Sequence, residues 1–339
     1  MDRTAADSYV YAKACGMYAR SFVGPRARRL FEPKRLRDLW SMLYGGEVPL
    51  VPEGLLALLL ERKSEENAVR DVITLLSSYD TPDPLTRALL SLYDYSNLKA
   101  ASAWAALGRA DPPFMVNLGA FAMLDYSAWP DIGAMTRSSP VSWYDRVPEE
   151  GEQMEWESRL DHEYYRSLWK AFSSVSSRDR AAIEELIREE IVLQNIVWAI
   201  RLRVYYRKTE EEILPLLAGH DEEPRVRETL CGPALDTTRR AIDARDEWKG
   251  WKYAWLLNPG EEGVPWEIDP RWAQFASEKH LYRRALRLFH QHPFTLGVLV
   301  AFFKIKQLEE QNIRVAAEGI RLGATEGQIS EFMGDTQDA

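Results

Sequence analysis

An all-α fold is predicted for this 339-residue chain by three observations. Apolar residues recur at steps of three and four over long segments. Alternating strand-like runs are scarce, and an Asn-led helical pattern returns about every hundred residues. Taken in chain order, the first helical segment is YVYAKACGMYAR, residues 9–20. Breaks then fall at Gly45-Gly46 with Pro49 and Pro52, at Thr81 to Pro84, at Asp111 to Pro113 and around Pro130 to Pro148. Glycine and proline interrupt helices because one is conformationally free and the other lacks an N–H donor. Between Arg178 and Arg207, Ile183, Leu186, Ile187, Ile191, Asn195, Trp198 and Leu202 share one side, which predicts a long amphipathic helix. Breaks at Pro215 to Pro224 and Asn258 to Pro270 follow. The same spacing resumes with Leu281, Leu286 and Phe289, continues to Phe303, and runs from Ile305 through Ile313 to Ile320.

Composition narrows the class further. Hydrophobic residues make up 46% and charged residues 28%, which suits a globular chain and excludes disordered, collagen-like and disulfide-dense ones. The 43 basic and 52 acidic residues leave a net charge of −9, which weighs against nucleic acid as a partner. Cys15 and Cys231 are the only cysteines, as expected in a reducing compartment. Asp2, Asp7, Lys13 and Arg20 leave no room for an export signal, so a cytoplasmic location is expected. The apolar stretches Pro112 to Leu124 and Pro293 to Phe303 are shorter than the ~20 residues that cross a bilayer, so no direct membrane span is expected.

The repeat is the most informative feature. NLKAASAWAALG from Asn97, NIVWAIRLRVYY from Asn195 and NIRVAAEGIRLG from Asn312 each open with Asn plus Leu or Ile. A weaker copy sits at the N-terminus, where Ala12, Lys13 and Ala14 align with Leu98, Lys99 and Ala100. Each Asn is followed 13 or 14 positions later by a candidate N-cap: Asp111 before Pro112, Thr209 before Glu212 and Thr325 before Gln328. The last two have the spacing of capping boxes. Asn97, Asn195 and Asn312 are therefore read as structural repeat positions, each burying its amide to fix the turn before its helix. Trp248, Trp251 and Trp255, at i, i+3 and i+7, are expected to form one helical stripe used for core packing.

At these residues the chain resembles a known family. The Tyr-x-Tyr-x-x-Ala start, the repeated Asn-Leu/Ile-Arg/Lys helices and HPFTLGVLVAFFKIKQLEEQNIRVAAEGIRLG are similar to the C subunit of the archaeal-type and V-type rotary ATPases, which is the d subunit of the eukaryotic pump. The second repeat departs from the pattern, with Val197 where the others have Lys99 and Arg314. The resemblance implies three pseudo-repeated helical domains arranged as a funnel, here 1–90, 91–190 and 191–339. It also implies a non-catalytic coupling role in the central stalk, with two partners: the rotor stalk subunits and the membrane proteolipid ring. The location it implies is cytoplasmic and peripheral on the membrane, through the ATPase complex.

The residues themselves speak against an enzyme. There is no Gly-x4-Gly-Lys-Ser/Thr and no Gly-x-Gly-x-x-Gly, so no nucleotide loop is expected, and no cofactor. His162 opens HEYYR, which lacks the second histidine of a zincin, and no metal site is expected. Charge is unevenly spread. Arg26 to Arg37 carries a local +5, Glu149 to Glu163 a local −6, and a basic helix runs through Lys279, Arg283, Arg284 and Arg287. Arg28, Arg29, Arg283 and Arg284 are the candidate partner-binding residues. The competing reading is an all-α repeat scaffold, unrelated to an ATPase, that binds helical partners in a Trp-lined groove.

Overall fold

The structure is a computed structural model that describes residues 3–109, 111–260, 263–325 and 327. It is all-helical, with no strand among the described residues. In chain order the α-helices are α1 (Arg3–Tyr18), α2 (Leu36–Tyr44), α3 (Glu53–Leu76), α4 (Pro84–Leu90) and α5 (Leu92–Ala106). After them come α6 (Ile132–Thr136), α7 (Gln153–Ser173), α8 (Ser177–Tyr206), α9 (Glu210–Ile213), α10 (Pro224–Thr238), α11 (Pro270–Gln291) and α12 (Leu296–Leu322). A 3₁₀ segment, Gly24–Phe31, lies between α1 and α2.

The chain forms two compact units. One consists of Met1–Asn97, Pro113–Ala122 and Tyr282–Ala339, and the other of Leu98–Pro112 and Met123–Leu281. In the first unit, α12 lies along α3. Lys306 meets Asp71, Arg314 meets Glu65 and Glu61, and Arg321 feels Glu53, so α12 ascends as α3 descends and the two are antiparallel. The core between them gathers Leu56, Ala57 and Leu60 of α3, Ile313, Ala316 and Ala317 of α12, and Leu30, Phe31, Leu36 and Leu39 from the preceding elements. The first turns of α12 are buried all round from Leu296 to Lys306, which is why its sequence is apolar without a polar stripe. Thr295 caps its start by accepting from the Gly297 N–H, and Gly323 ends it at φ 66°. That left-handed conformation suits glycine and lets the Ala324 N–H reach back to the Gly319 carbonyl.

In the second unit α8 packs on α7 and α10. Its apolar side is Ile183, Leu186, Ile187, Ile191, Asn195, Ile196 and Ile200, and it stops at Arg207, whose φ of 53° ends the helix. The predicted capping box follows at once. The Thr209 hydroxyl accepts from the Glu212 N–H, and the Glu212 carboxylate accepts from the Thr209 N–H.

Two expectations for this region fail. Asp111 caps no helix: residues 112–118 form none, and Pro113 disfavours helical geometry at the residue before it. The Asp111 carbonyl instead accepts from the Trp104 indole N–H. The three tryptophans lie on no common helix either. Trp248 closes a short 3₁₀ turn, Gly250 breaks the chain at φ 81°, and Trp255 sits in a second 3₁₀ turn. Trp248 and Trp251 are buried with ring centroids 5.1 Å apart, so they form core. Trp255 is half-exposed and stacks on His280 at 4.5 Å. The box expected at Thr325 depends on Gln328, which lies outside the described residues.

Candidate functional site: asparagine clamps and the charged seam of α12

Each repeated asparagine uses its side-chain amide to hold a distant piece of backbone. Asn97, on α5, accepts the Val116 N–H at 2.8 Å and donates to the Val116 carbonyl at 2.8 Å. Asn195, on α8, accepts the Ala218 N–H at 2.8 Å and donates to the Ala218 carbonyl at 2.9 Å and the Leu230 carbonyl at 3.0 Å. Both clamp one residue of a segment that follows their helix, supplying the pair of bonds a neighbouring strand would give. The clamped residues lie 19 and 23 positions downstream, not in the turn before the helix.

Asn312, on α12, differs in an instructive way. It donates to the carbonyl of Phe22, 290 residues upstream, at 3.1 Å. The Phe22 N–H is taken at 2.8 Å by Glu309, one turn earlier on the same helix. The third clamp thus uses two side chains, and its client comes from the beginning of the chain.

Glycine is required beside the second clamp. Gly219 has φ 85°, and a Cβ there would stand 2.7 Å from Leu230 Cδ1. Cys231 is also at this clamp, its thiol donating to the Ala218 carbonyl at 3.4 Å. Burial pushes that thiol up to about 12, so it stays protonated at neutral pH and is no nucleophile.

Glu309 leads into a charged seam between α12 and α3. It accepts from Lys306 Nζ at 2.5 Å, and Lys306 donates to Asp71 at 2.9 Å. Burial opposes the charge on Lys306. The attraction of Glu309 and Asp71 outweighs that opposition and holds the ammonium above its ordinary pKa. At the next residue, Glu310 accepts from the Tyr93 hydroxyl at 2.6 Å. Arg314 then reaches Glu61 at 3.6 Å and Glu65 at 3.8 Å. The Tyr44 hydroxyl donates to the Leu60 carbonyl at 2.8 Å, and burial raises its pKa.

Glu310 is a carboxyl of the seam held far above its ordinary range. Burial raises its carboxyl to about 8, with Glu65 adding to the rise while Tyr93, Arg314 and Lys306 pull it down. An acid whose folded pKa exceeds its unfolded one binds more protons when folded. Its contribution to stability is therefore full below the unfolded value of 4.5 and is lost as pH climbs through about 8. Thermal melts of the wild type and Glu310→Gln across pH 5 to 9 should diverge with increasing pH, the variant gaining on the order of 4 kcal/mol relative to wild type at the alkaline end. Parallel curves would show that Glu310 does not titrate in this range.

The repeat-position base Lys99 has an equally specific use. It pairs with Asp161 at 2.6 Å, and burial pushes the Asp161 carboxyl up against that pairing. Asp161 comes from the acidic stretch of residues 149–163, where Glu152 is also engaged, by Arg146 at 2.8 Å. That stretch is thus partly consumed in internal pairs. The candidate partner-binding arginines occupy two elements. Arg28 and Arg29 are exposed on the last turn of the 3₁₀ segment, while on α11 Arg283 is exposed and Arg284 half-buried. Among the described residues no group of three metal-ligating side chains is found, and no helix is long and apolar enough to cross a membrane.

The α12 seam and the third clamp fall in the segment whose sequence carries the strongest family resemblance, and comparison with known proteins identifies the family. The profile of the ATP synthase (C/AC39) subunit family matches residues 10–332. An uncharacterized protein of Treponema pallidum is 36% identical over 338 residues, covering 99% of this chain and 98% of its own length. The C subunit of the A-type ATP synthase of Thermococcus gammatolerans is 24% identical, covering 97% of this chain and 90% of its own. Its counterpart from Methanosarcina mazei, also the C subunit of an A-type ATP synthase, is 22% identical over 52% of this chain and 46% of its own. The chain belongs to the ATP synthase (C/AC39) subunit family.

Proposed function

We propose that this chain is the non-catalytic central-stalk coupling subunit of a V/A-type rotary ATPase, linking the rotor stalk to the membrane proteolipid ring for ATP-coupled proton or sodium transport. The observation that carries this reading is the family match over residues 10–332, supported by a relative named as the C subunit of an A-type ATP synthase that covers 97% of the chain. In this reading the chain is cytoplasmic and held on the membrane through the complex. Of the three repeated helical domains, 1–90, 91–190 and 191–339, the second would hold the Asn97 clamp and the third the Asn195 clamp, Asn312 of the third would tie down Phe22 of the first, and the seam of α12 would stiffen a part that must carry torque. Arg28, Arg29, Arg283 and Arg284 would steer docking, so reversing a pair to Glu slows assembly and sharpens its salt dependence more than it weakens the finished complex.

Membranes from a strain lacking the chain test the role. ATP hydrolysis by the soluble head should persist while ATP-driven ion transport disappears. Ion pumping at the normal ratio to ATP hydrolysed would show that the chain is not the coupling element.

A further inference from the structure

We propose that His162 and His220 form an acid-sensitive latch, which frees the segment between α9 and α10, residues 214–223, when both rings carry a proton. The two imidazoles come from elements distant in sequence, α7 and that segment, yet their ring centroids stand 5.5 Å apart. Nδ1 of His220 donates to the Leu217 carbonyl at 3.0 Å, which fixes its tautomer and leaves Nε2 to take any second proton. The His162 ring lies against the Leu216 carbonyl and meets the Trp198 ring edge-on at 5.9 Å. Its Nε2 is shielded from solvent and has no hydrogen-bond partner among the described residues.

A neutral ring can keep a bare lone pair in such a place at modest cost. An imidazolium needs acceptors for both of its N–H groups, and here it would also face a second cation across the gap. The two nearby carboxylates are already engaged. Asp161, beside His162 on α7, is held by Lys99 of α5 at 2.6 Å, and Asp221, beside His220, is held by Arg166 of α7 at 3.2 Å. From α8 comes the uncharged Trp198, and α10 brings one charge of each sign, Arg227 and Glu228, near Cys231. Burial and the charge of His220 hold His162 below its ordinary pKa of 6.5, against the pull of the Leu216 carbonyl and the two aspartates. A base depressed in this way binds its proton more tightly once the site opens. Closure is therefore strongest above pH 6.5 and weakens as the pH falls below it. The same segment carries Ala218, the client of Asn195, so opening at the histidines loosens that clamp from its outer side.

The inference does not depend on the coupling role, and the isolated full chain is sufficient for the test. Hydrogen exchange read by mass spectrometry, corrected for the intrinsic pH dependence of amide exchange, should show peptides within 214–223 losing protection between pH 7.5 and 5. The loss should approach about tenfold per pH unit for one proton taken up. His162→Asn, which keeps a donor for the Leu216 carbonyl but cannot take a proton, should flatten that dependence. His220→Asn should move its midpoint to higher pH by removing the repelling charge, and His290→Asn, in the other unit, should leave it as in the wild type. In NMR spectra of the wild type, one histidine should titrate below 6.5, a readout that needs no variant. Protection that is independent of pH, a wild-type dependence retained in His162→Asn, an unmoved midpoint in His220→Asn, or the absence of any histidine titrating below 6.5 would overturn the assignment.

Discussion

Replacing Lys306 by methionine is expected to cost about 3–5 kcal/mol and to lower the melting temperature by roughly 10 °C. The side chain is 8% exposed, and its ammonium holds two carboxylates at once, Asp71 on α3 and Glu309 on its own helix. Without it, two negative groups remain in a poorly solvated seam with nothing to balance them. Glu309 is also the acceptor for the Phe22 N–H, so its displacement loosens the clamp on the chain's beginning. The diagnostic comparison is the triple variant Asp71→Asn, Lys306→Met, Glu309→Gln. Removing all three charges should recover most of the loss, because neutral groups of similar size avoid the desolvation penalty of buried ions. A single-variant melting temperature within about 2 °C of wild type would mean the seam is solvated and contributes little.

Asn195→Ala should be almost as damaging, at about 3–4 kcal/mol. The amide is fully buried and engages three backbone groups, the Ala218 N–H and the Ala218 and Leu230 carbonyls. Truncation leaves those groups short of partners and opens a small cavity at the junction of α8 and α10. Asn195→Asp separates hydrogen bonding from volume. One carboxylate oxygen can still accept the Ala218 N–H, but the other is set against two carbonyls. The aspartate variant should therefore melt near the alanine variant at neutral pH and recover on acidification, when the protonated oxygen can donate. An aspartate variant as stable as wild type at pH 7 would show that the donor half of the clamp is dispensable.

What the sequence discloses follows from how local each feature is. The helix read from Arg178 to Arg207 is α8 at Ser177–Tyr206, because its apolar period, its end and the Thr209 box all lie within a few residues of one another. The recurrence of Asn97, Asn195 and Asn312 is visible as a set, yet their clients are not. Nothing within a turn of Asn312 points to a residue 290 positions away. The seam is hidden for a related reason. Lys306, Glu309 and Glu310 have the spacing of an ordinary solvated face, and it is the partners on α3 and α5, Asp71 and Tyr93, that turn that face inward. One hint is present: Lys306 follows an unbroken apolar run from Leu296 to Phe303, where a solvated stripe is out of place. The tryptophan spacing misleads because periodicity presumes a continuous helix, which Gly250 interrupts.

The clamp of Asn312 on Phe22 bears on the order of events during synthesis. The unit built from both chain ends cannot close until its last long helix has left the ribosome, whereas the other unit draws almost all of its residues from an uninterrupted stretch, 123–281. The inner stretch is thus free to fold while translation continues, and α1 and α3 must wait with their apolar faces uncovered for α12 to arrive. Chains halted before residue 296 would display those faces indefinitely, which makes them substrates for chaperones and proteases rather than candidates for assembly.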